Sequence, residues 1–413
     1  MDLTRVARAG RAGKPKVLWA LHLSPRARSL TRFEFVNTES TARPSPVPNA
    51  NPPIAGIRAV AFAIAFTGVA ILASLTIWLV RSSGRTTTPD AAVVTDSMAS
   101  MAGTKNASSS AAPISLPANA AELAAAHHPF SAQLPPLTKG HVHHYTITLA
   151  DRVVEIAPGI RFSGWTFDGT APGPVVHVRQ GDMVDIELVN GGAIPHSIDF
   201  HAADIAPEKA FATIPHGGSI HFRFRAGTPG AFMYHCGTAP VLAHIANGMY
   251  GAIIVDPRGG LPKVDHSYVL VASEWYLSGT GSKTPYTLDF NKARTRQPDF
   301  VTWNGYAAQY KDHPLTARPG QTVRFYVVAA GPSFDTDFHV VGTVLHRVYL
   351  DGTTTDVLHD TQTQLVPAGG GMIFDVAFHQ AGIYPFVSHS FASVDMGQVG
   401  LINVGGVKGT MSH

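Results

Sequence analysis

A single cysteine in 413 residues is the sharpest scarcity in this sequence. With Cys236 alone, the chain can form no internal disulfide, no Cys-rich zinc module and no covalently attached c-type haem, which needs Cys-x-x-Cys-His. Charge is scarce as well: Asp, Glu, Lys and Arg make up only 14% of the residues. The formal net charge of +3 averages two unlike parts. Residues 1–58 hold ten Lys and Arg against Asp2, Glu34 and Glu39, which leaves 21 basic and 25 acidic residues for the rest. A basic head on a mildly acidic body argues against nucleic-acid binding. What the chain has in quantity is histidine, with 21, and the turn-formers glycine and proline, with 39 and 30. At roughly 100–200 residues per domain, the length suffices for two or three domains with cores of their own.

Ala59 to Val80 is a run of 22 residues without a charge, enough to cross a hydrocarbon core of about 30 Å as one helix. The basic excess of residues 1–58 lies before it, which places that segment in the cytoplasm and everything after Val80 outside. A cleaved signal peptide fits less well, because both the apolar run and the basic leader are long for one. The expectation is an uncleaved, single-pass anchor. Residues 81–135 are rich in Thr, Ser, Ala and Pro and read as a flexible linker.

Short β-rich runs separated by Gly/Pro turns follow, among them YTITLADRVVEI, GPVVHVRQGDMVDIELVN, SIHFRFRAGTPGAFMYHC and YGAIIVDP. A second set includes SYVLVASEWYL, QTVRFYVVAAG, GMIFDVAF and QVGLINV. Such spacing predicts an all-β architecture of sandwiches. The sets echo each other, with Gly181 and Gly320 in matching places, so two tandem β-domains are expected over 136–260 and 261–413. Only the first contains the cysteine.

In HCGTAPVLAHIANGM, Cys236, His244 and Met249 form a Cys-x7-His-x4-Met series. A thiolate, an imidazole and a thioether, with a second imidazole from His196, make the ligand set of a blue-copper electron-transfer site. Strand alternation extends the argument. If Cys236 faces inward, His235 faces outward, where Asp199 and His201, of opposite parity to His196, can join it. Two imidazoles leave a metal site incomplete. A third from the second domain or another subunit, for which His389 is the best candidate, would give a copper centre with an open position for a small anion. Asp199 could relay protons there.

At these residues the chain closely resembles the copper-containing nitrite reductases, two-domain cupredoxin enzymes of denitrification that reduce nitrite to nitric oxide. The resemblance runs from about Val142 to Val404 and rests on PHSIDFHAA, MYHCGTAPVLAHIANGMYGAIIVDP and FHVVGTVLHRVY. The short Cys236–His244 spacing is that of compact-loop members. The resemblance implies two tandem cupredoxin-like Greek-key sandwiches, here behind a transmembrane helix and linker. It implies two coppers per chain: type 1 on His196, Cys236, His244 and Met249, and type 2 on His201 and His235 of one subunit with His389 of its neighbour in a homotrimer. It makes Asp199 and His339 the catalytic pair that delivers two protons, and puts Val341, commonly a larger Ile, in the substrate pocket. The electron donor would be a separate small cupredoxin or cytochrome c.

Two other functions use part of this set. A two-domain multicopper oxidase needs about eight imidazoles in paired His-x-His motifs, and only His141-Val-His143 has that form. A membrane-tethered blue-copper carrier would need neither His201, His235 and Asp199 nor His339 and His389. His127, His128, His141, His143 and His144 read as solvated. His346 reads as lying on the strand of His339, facing the other way.

Overall fold

The computed structural model of the chain describes residues 114–279 and 284–409. The basic segment 1–58 and the apolar run 59–80 lie outside the described residues. Among those described, no helix is long and apolar enough to cross a membrane.

Among the described residues the protein is all-β, with cupredoxin-like sheets and only short helices. The first eight described strands are β1 (Val142–Ala157), β2 (Ile160–Phe167), β3 (Val176–Arg179), β4 (Met183–Asn190), β5 (Asp199–Phe200), β6 (Ser219–Arg225), β7 (Gly230–His235) and β8 (Tyr250–Asp256). They form two four-stranded sheets, ordered β2-β1-β4-β6 and β3-β8-β7-β5. The alternation of SIHFRFR explains how one sheet acquires an inner face: Phe222 and Phe224 are buried while His221, Arg223 and Arg225 are exposed. They join Leu149, Phe167, Ile186, Phe200 and Ile253 in a core enclosed by both sheets.

Thirteen further strands are described: β9 (His266–Trp275), β10 (Leu277–Ser278), β11 (Thr287–Leu288), β12 (Phe300–Trp303), β13 (Leu315–Ala317), β14 (Thr322–Gly331), β15 (Thr336–Val340), β16 (Leu345–Leu350), β17 (Val357–Thr361), β18 (Thr363–Val366), β19 (Gly371–Ala377), β20 (Gly382–Ser388) and β21 (Val399–Val404). Two larger sheets, β12-β9-β14-β19-β16-β17 and β13-β21-β20-β15-β18, enclose a second core around Phe325, Phe338, Phe374 and Phe386. β4 runs parallel to β1 as β14 does to β9. The turns before β4 and β14 hold Gly181 and Gly320 at φ +97° and +85°, a conformation that favours glycine.

β9 and β14 are buried on both faces, which accounts for their near-continuous apolar runs. One face serves the second core. From the other, Val269, Val271, Tyr326 and Val328 pack against Met233, Tyr250, Ala252 and Ile254 of β7 and β8, so the two halves share an apolar seam.

The linker expected over 81–135 is corrected from residue 114 onward. A helix spans Ala120–Ala126, and Phe130 bonds to Gln309 and Tyr310 of the second half. Ala132 and Leu134 then exchange backbone hydrogen bonds with Val269 and Ser267 on β9. An Ala-rich composition marks a tether only when nothing captures its apolar side and its backbone groups; here β9 supplies the bonds. His143 is a second correction. It is 4% exposed rather than solvated, and its ring nitrogens bond to Thr138 and Asp182.

A buried ion pair ties together β14 and β19, two strands of the sheet that carries the seam. Arg324 on β14 donates to both oxygens of Asp375 at 2.7 and 2.8 Å and to Pro262 O, in the segment joining the halves. Removing one partner leaves an uncompensated buried charge. Asp375→Ala should therefore destabilise the protein by about 3–5 kcal/mol, measured by urea unfolding, while an apolar replacement of both residues should cost much less.

Candidate functional site

Two clusters form at one end of the first half, on opposite faces of the same sheet. The inner one gathers His196, Cys236 and His244, each buried. His196 is pinned by two backbone hydrogen bonds with Ile214. Cys236 follows the last residue of β7, and His244 lies on the short helix Val241–Ala246. That helix returns to β8 through Gly248, whose φ is +109° and where a Cβ would stand 3.1 Å from the carbonyl oxygen of Trp165, so the turn requires glycine. Met249 follows, wholly buried in the same core as Cys236. Its N–H donates to His244 O, and its carbonyl accepts from Cys236 N–H.

Nδ1 of His196 and Nδ1 of His244 are 3.1 Å apart, and Cys236 Sγ lies 3.2 Å from the latter and 4.0 Å from the former. Burial lowers the pKa of His196 to about 4, with His244 adding to the shift. Burial also lowers that of His244. Both imidazoles are thus neutral near pH 7, with ring nitrogens converging on a sulfur that also accepts Ser197 N–H at 3.3 Å. This soft N/S donor set, enclosed by Trp165 against both rings, fits copper.

The outer cluster contains Asp199, His201 and His235. β5 pairs with β7 so that Asp199 opposes His235 and Phe200 opposes Tyr234. Alternation sends Phe200, Tyr234 and Cys236 into the core and leaves Asp199, His201 and His235 on the other face. His235 Nδ1 donates to Cys236 O and His201 Nδ1 to Gly369 O, both at 3.0 Å. With both Nδ1 protons committed to carbonyls, the Nε2 atoms carry lone pairs. They lie 3.0 Å apart, an arrangement that fits one metal ion. Asp199 Oδ2 is 3.9 Å from His235 Nε2. The pKa of His235 is lowered, chiefly by burial and further by His201, against the pull of Cys236 O and Asp199.

His339 and His389 belong to neither cluster among the described residues. They pair with each other on the second half, ring centroids 5.4 Å apart. His339 lies on β15 with Nδ1 donating to Gln362 O at 2.7 Å, and His389 follows β20, its N–H on Asp337 O. Val341 lies one residue beyond β15 and is exposed. The chain turns there, so His346 is on β16 rather than on the strand of His339, and accepts from Ala377 N–H. Spacing pointed to neither Ser197 nor Gly369. Ser197 could have been found as the neighbour of His196, whereas the Gly369 contact is long-range.

A family model described as multicopper oxidase matches residues 149–260. The chain is 38% identical over 264 residues to copper-containing nitrite reductases of Neisseria gonorrhoeae and Neisseria meningitidis serogroup A. The match covers 62% of this chain and 67% and 68% of those proteins. A solved structure of copper nitrite reductase from Nitrosomonas europaea superposes with a TM-score of 0.59 at 33% identity, covering 64% of this chain and 94% of that one.

The depressed pKa of His196 has a measurable consequence in the metal-free protein. Its ordinary value is 6.5, so between pH 6.5 and about 4 the unfolded chain binds a proton that the folded one does not. Stability should therefore fall as pH is lowered through that window. The urea midpoint should track this loss, and the slope should shrink in His196→Gln.

Proposed function

The chain belongs to the copper-containing nitrite reductases, and on that footing we propose that its two histidine clusters are a type 1 and a type 2 copper site, two coppers per chain. It is an oxidoreductase that reduces nitrite in a copper-dependent reaction. His196, Cys236, His244 and Met249 hold the type 1 copper. His201 and His235 hold the type 2 copper, completed by His389 of the partner subunit. The observation that carries this reading is that Cys236 and His235 are adjacent residues on opposite faces of one strand end, so a few covalent bonds connect the clusters.

Copper supplies one-electron redox chemistry and a Lewis acid for the nitrite oxygens. The protein's own groups manage the rest. Reduction to nitric oxide consumes one electron and two protons per nitrite and releases water. Asp199, 3.9 Å from His235 Nε2, holds a proton beside the substrate position. His339, its Nδ1–H fixed on Gln362 O, presents Nε2 for the second. Val341 walls the same pocket.

The homotrimer is supported by what a single chain lacks. His389 is outside the cluster of His201 and His235, on a face where Phe391 and Leu365 are also exposed, as suits contact with another copy. The fold reading that accompanies this function is two tandem Greek-key cupredoxin sandwiches over 136–260 and 261–413. Residues 1–58 stay cytoplasmic, 59–80 cross the membrane, and the copper domains face outward to meet a small cupredoxin or cytochrome c as donor. A laccase-like oxidase is disfavoured further because His141 and His143 both bond to Asp182, which takes the His-x-His pair away from metal binding. A simple carrier would leave the outer cluster without a purpose.

Asp199→Asn and His339→Ala should each slow nitric oxide formation by about 10²-fold or more while the blue absorption persists. Unchanged turnover in both would refute their proton-handling roles. His389→Ala should lower bound copper from about two to about one per chain, with the type 2 signal lost; a retained type 2 signal would exclude it as a ligand.

A further inference from the structure

The second half of the chain reaches back to one imidazole of the outer cluster. His201 Nδ1 donates to the carbonyl of Gly369, 168 residues further along. Gly369 lies in a turn fixed from more than one side. Its N–H donates to Ala329 O at 2.7 Å, and Gly370 O accepts from Ala329 N–H at 3.0 Å. The carboxylate of Asp335 accepts from Ala368 N–H at 2.8 Å. Asp335 itself stands on a firm base, because the two preceding N–H groups, Ser333 and Phe334, donate to Glu274 Oε1 at 3.0 and 2.6 Å. Glu274 is buried on β9. Asp335, itself exposed but next in the chain to this anchored pair, thus braces the turn whose carbonyl sets the tautomer of His201.

We infer that Asp335 is a positioning residue for the type 2 copper: it braces the 367–370 turn, holds Gly369 O on His201 Nδ1–H, and so aims His201 Nε2 at the point His235 Nε2 also faces. The inference rests on the reading of His201 and His235 as ligands. Partners that orient a metal-bound imidazole typically matter by 10–100-fold in metal affinity. A backbone carbonyl cannot be removed by substitution, so its side-chain brace is the place to intervene.

In the full-length protein, Asp335→Ala should raise the dissociation constant of the type 2 copper about tenfold. Equilibrium dialysis against a chelator reads the affinity, and electron paramagnetic resonance should show altered hyperfine splitting of that copper with the blue absorption intact. Asp335→Asn keeps an oxygen acceptor for Ala368 N–H and should restore both readouts. Parent-like affinity in Asp335→Ala overturns the inference, and so does an Asn variant as weak as the Ala variant, since charge rather than the brace would then be acting. His201→Ala, measured alongside, separates the two levels. If it keeps its type 2 copper, the ligand reading has failed; if it loses that copper while Asp335→Ala does not, only the positioning role has.

Discussion

The period of two along β7 is the constraint on which both clusters depend. Adjacent residues of a strand must point to opposite faces, so the chain cannot place Cys236 in the core without turning His235 outward. Pairing with β5 applies the same rule on the neighbouring strand, where Asp199 opposes His235 and His201 follows on the outer side. A buried N/S cluster and a partly exposed cluster of two imidazoles and a carboxylate are thereby built back to back, with Cys236 O accepting the ring proton of His235. A slip of one residue in this register would exchange the faces and dismantle both sites at once.

The matching corner of the second half shows what the same frame becomes when no metal-binding side chain lines it. Asp337 N–H donates to Ser388 Oγ at 3.2 Å, as Ser197 N–H does to Cys236 Sγ in the first half. Gln398 N–H donates to Ser393 O, as Met249 N–H does to His244 O. Gln398 Nε2 donates to Thr336 Oγ1 at 3.2 Å. Thr336, Ser388, Ser393 and Gln398 are all buried, and their hydrogen bonds to one another and to the backbone offset the cost of that burial. This corner needs no ion, whereas in the first half Nδ1 of His196 and Nδ1 of His244 are brought together in a buried site beside a sulfur. At this corner the halves differ in four side chains, although the second half's sheets carry more strands.

What could be read in the sequence follows from how local each signal is. The order Cys236, His244, Met249 and the parity of His196 against Asp199 and His201 depend on short stretches and one rule of alternation, and the clusters of described residues fall where that rule puts them. His339 stands on a strand whose spacing singles out no partner for it, and only family resemblance drew attention to it. The turn that separates His339 from His346 was signalled, since Gly342 adopts φ +86°, but its apolar neighbours read as one continuous strand. Residues 114–135 have a tether's composition and an element's structure, because the decision is made by β9 and by Gln309 and Tyr310, far along the chain. The bond from His201 to Gly369 belongs to the same class: no window of sequence contains it.

The repeat also bears on how a shared site would be assembled. Asp199 opposes His235 on β7, and His339 opposes Val387 on β20, so these two candidate proton carriers occupy corresponding register positions in the two halves. Within one chain they do not share a cluster: Asp199 groups with His201 and His235, and His339 with His389. A site that draws His201 and His235 from one copy and His339 and His389 from the next joins unlike patches, which is a heterologous contact. Such contacts either close into rings or run on as filaments. A closed ring in which every copy gives one patch and receives the other leaves no incomplete site, and the trimer proposed for this enzyme is a small ring of that kind.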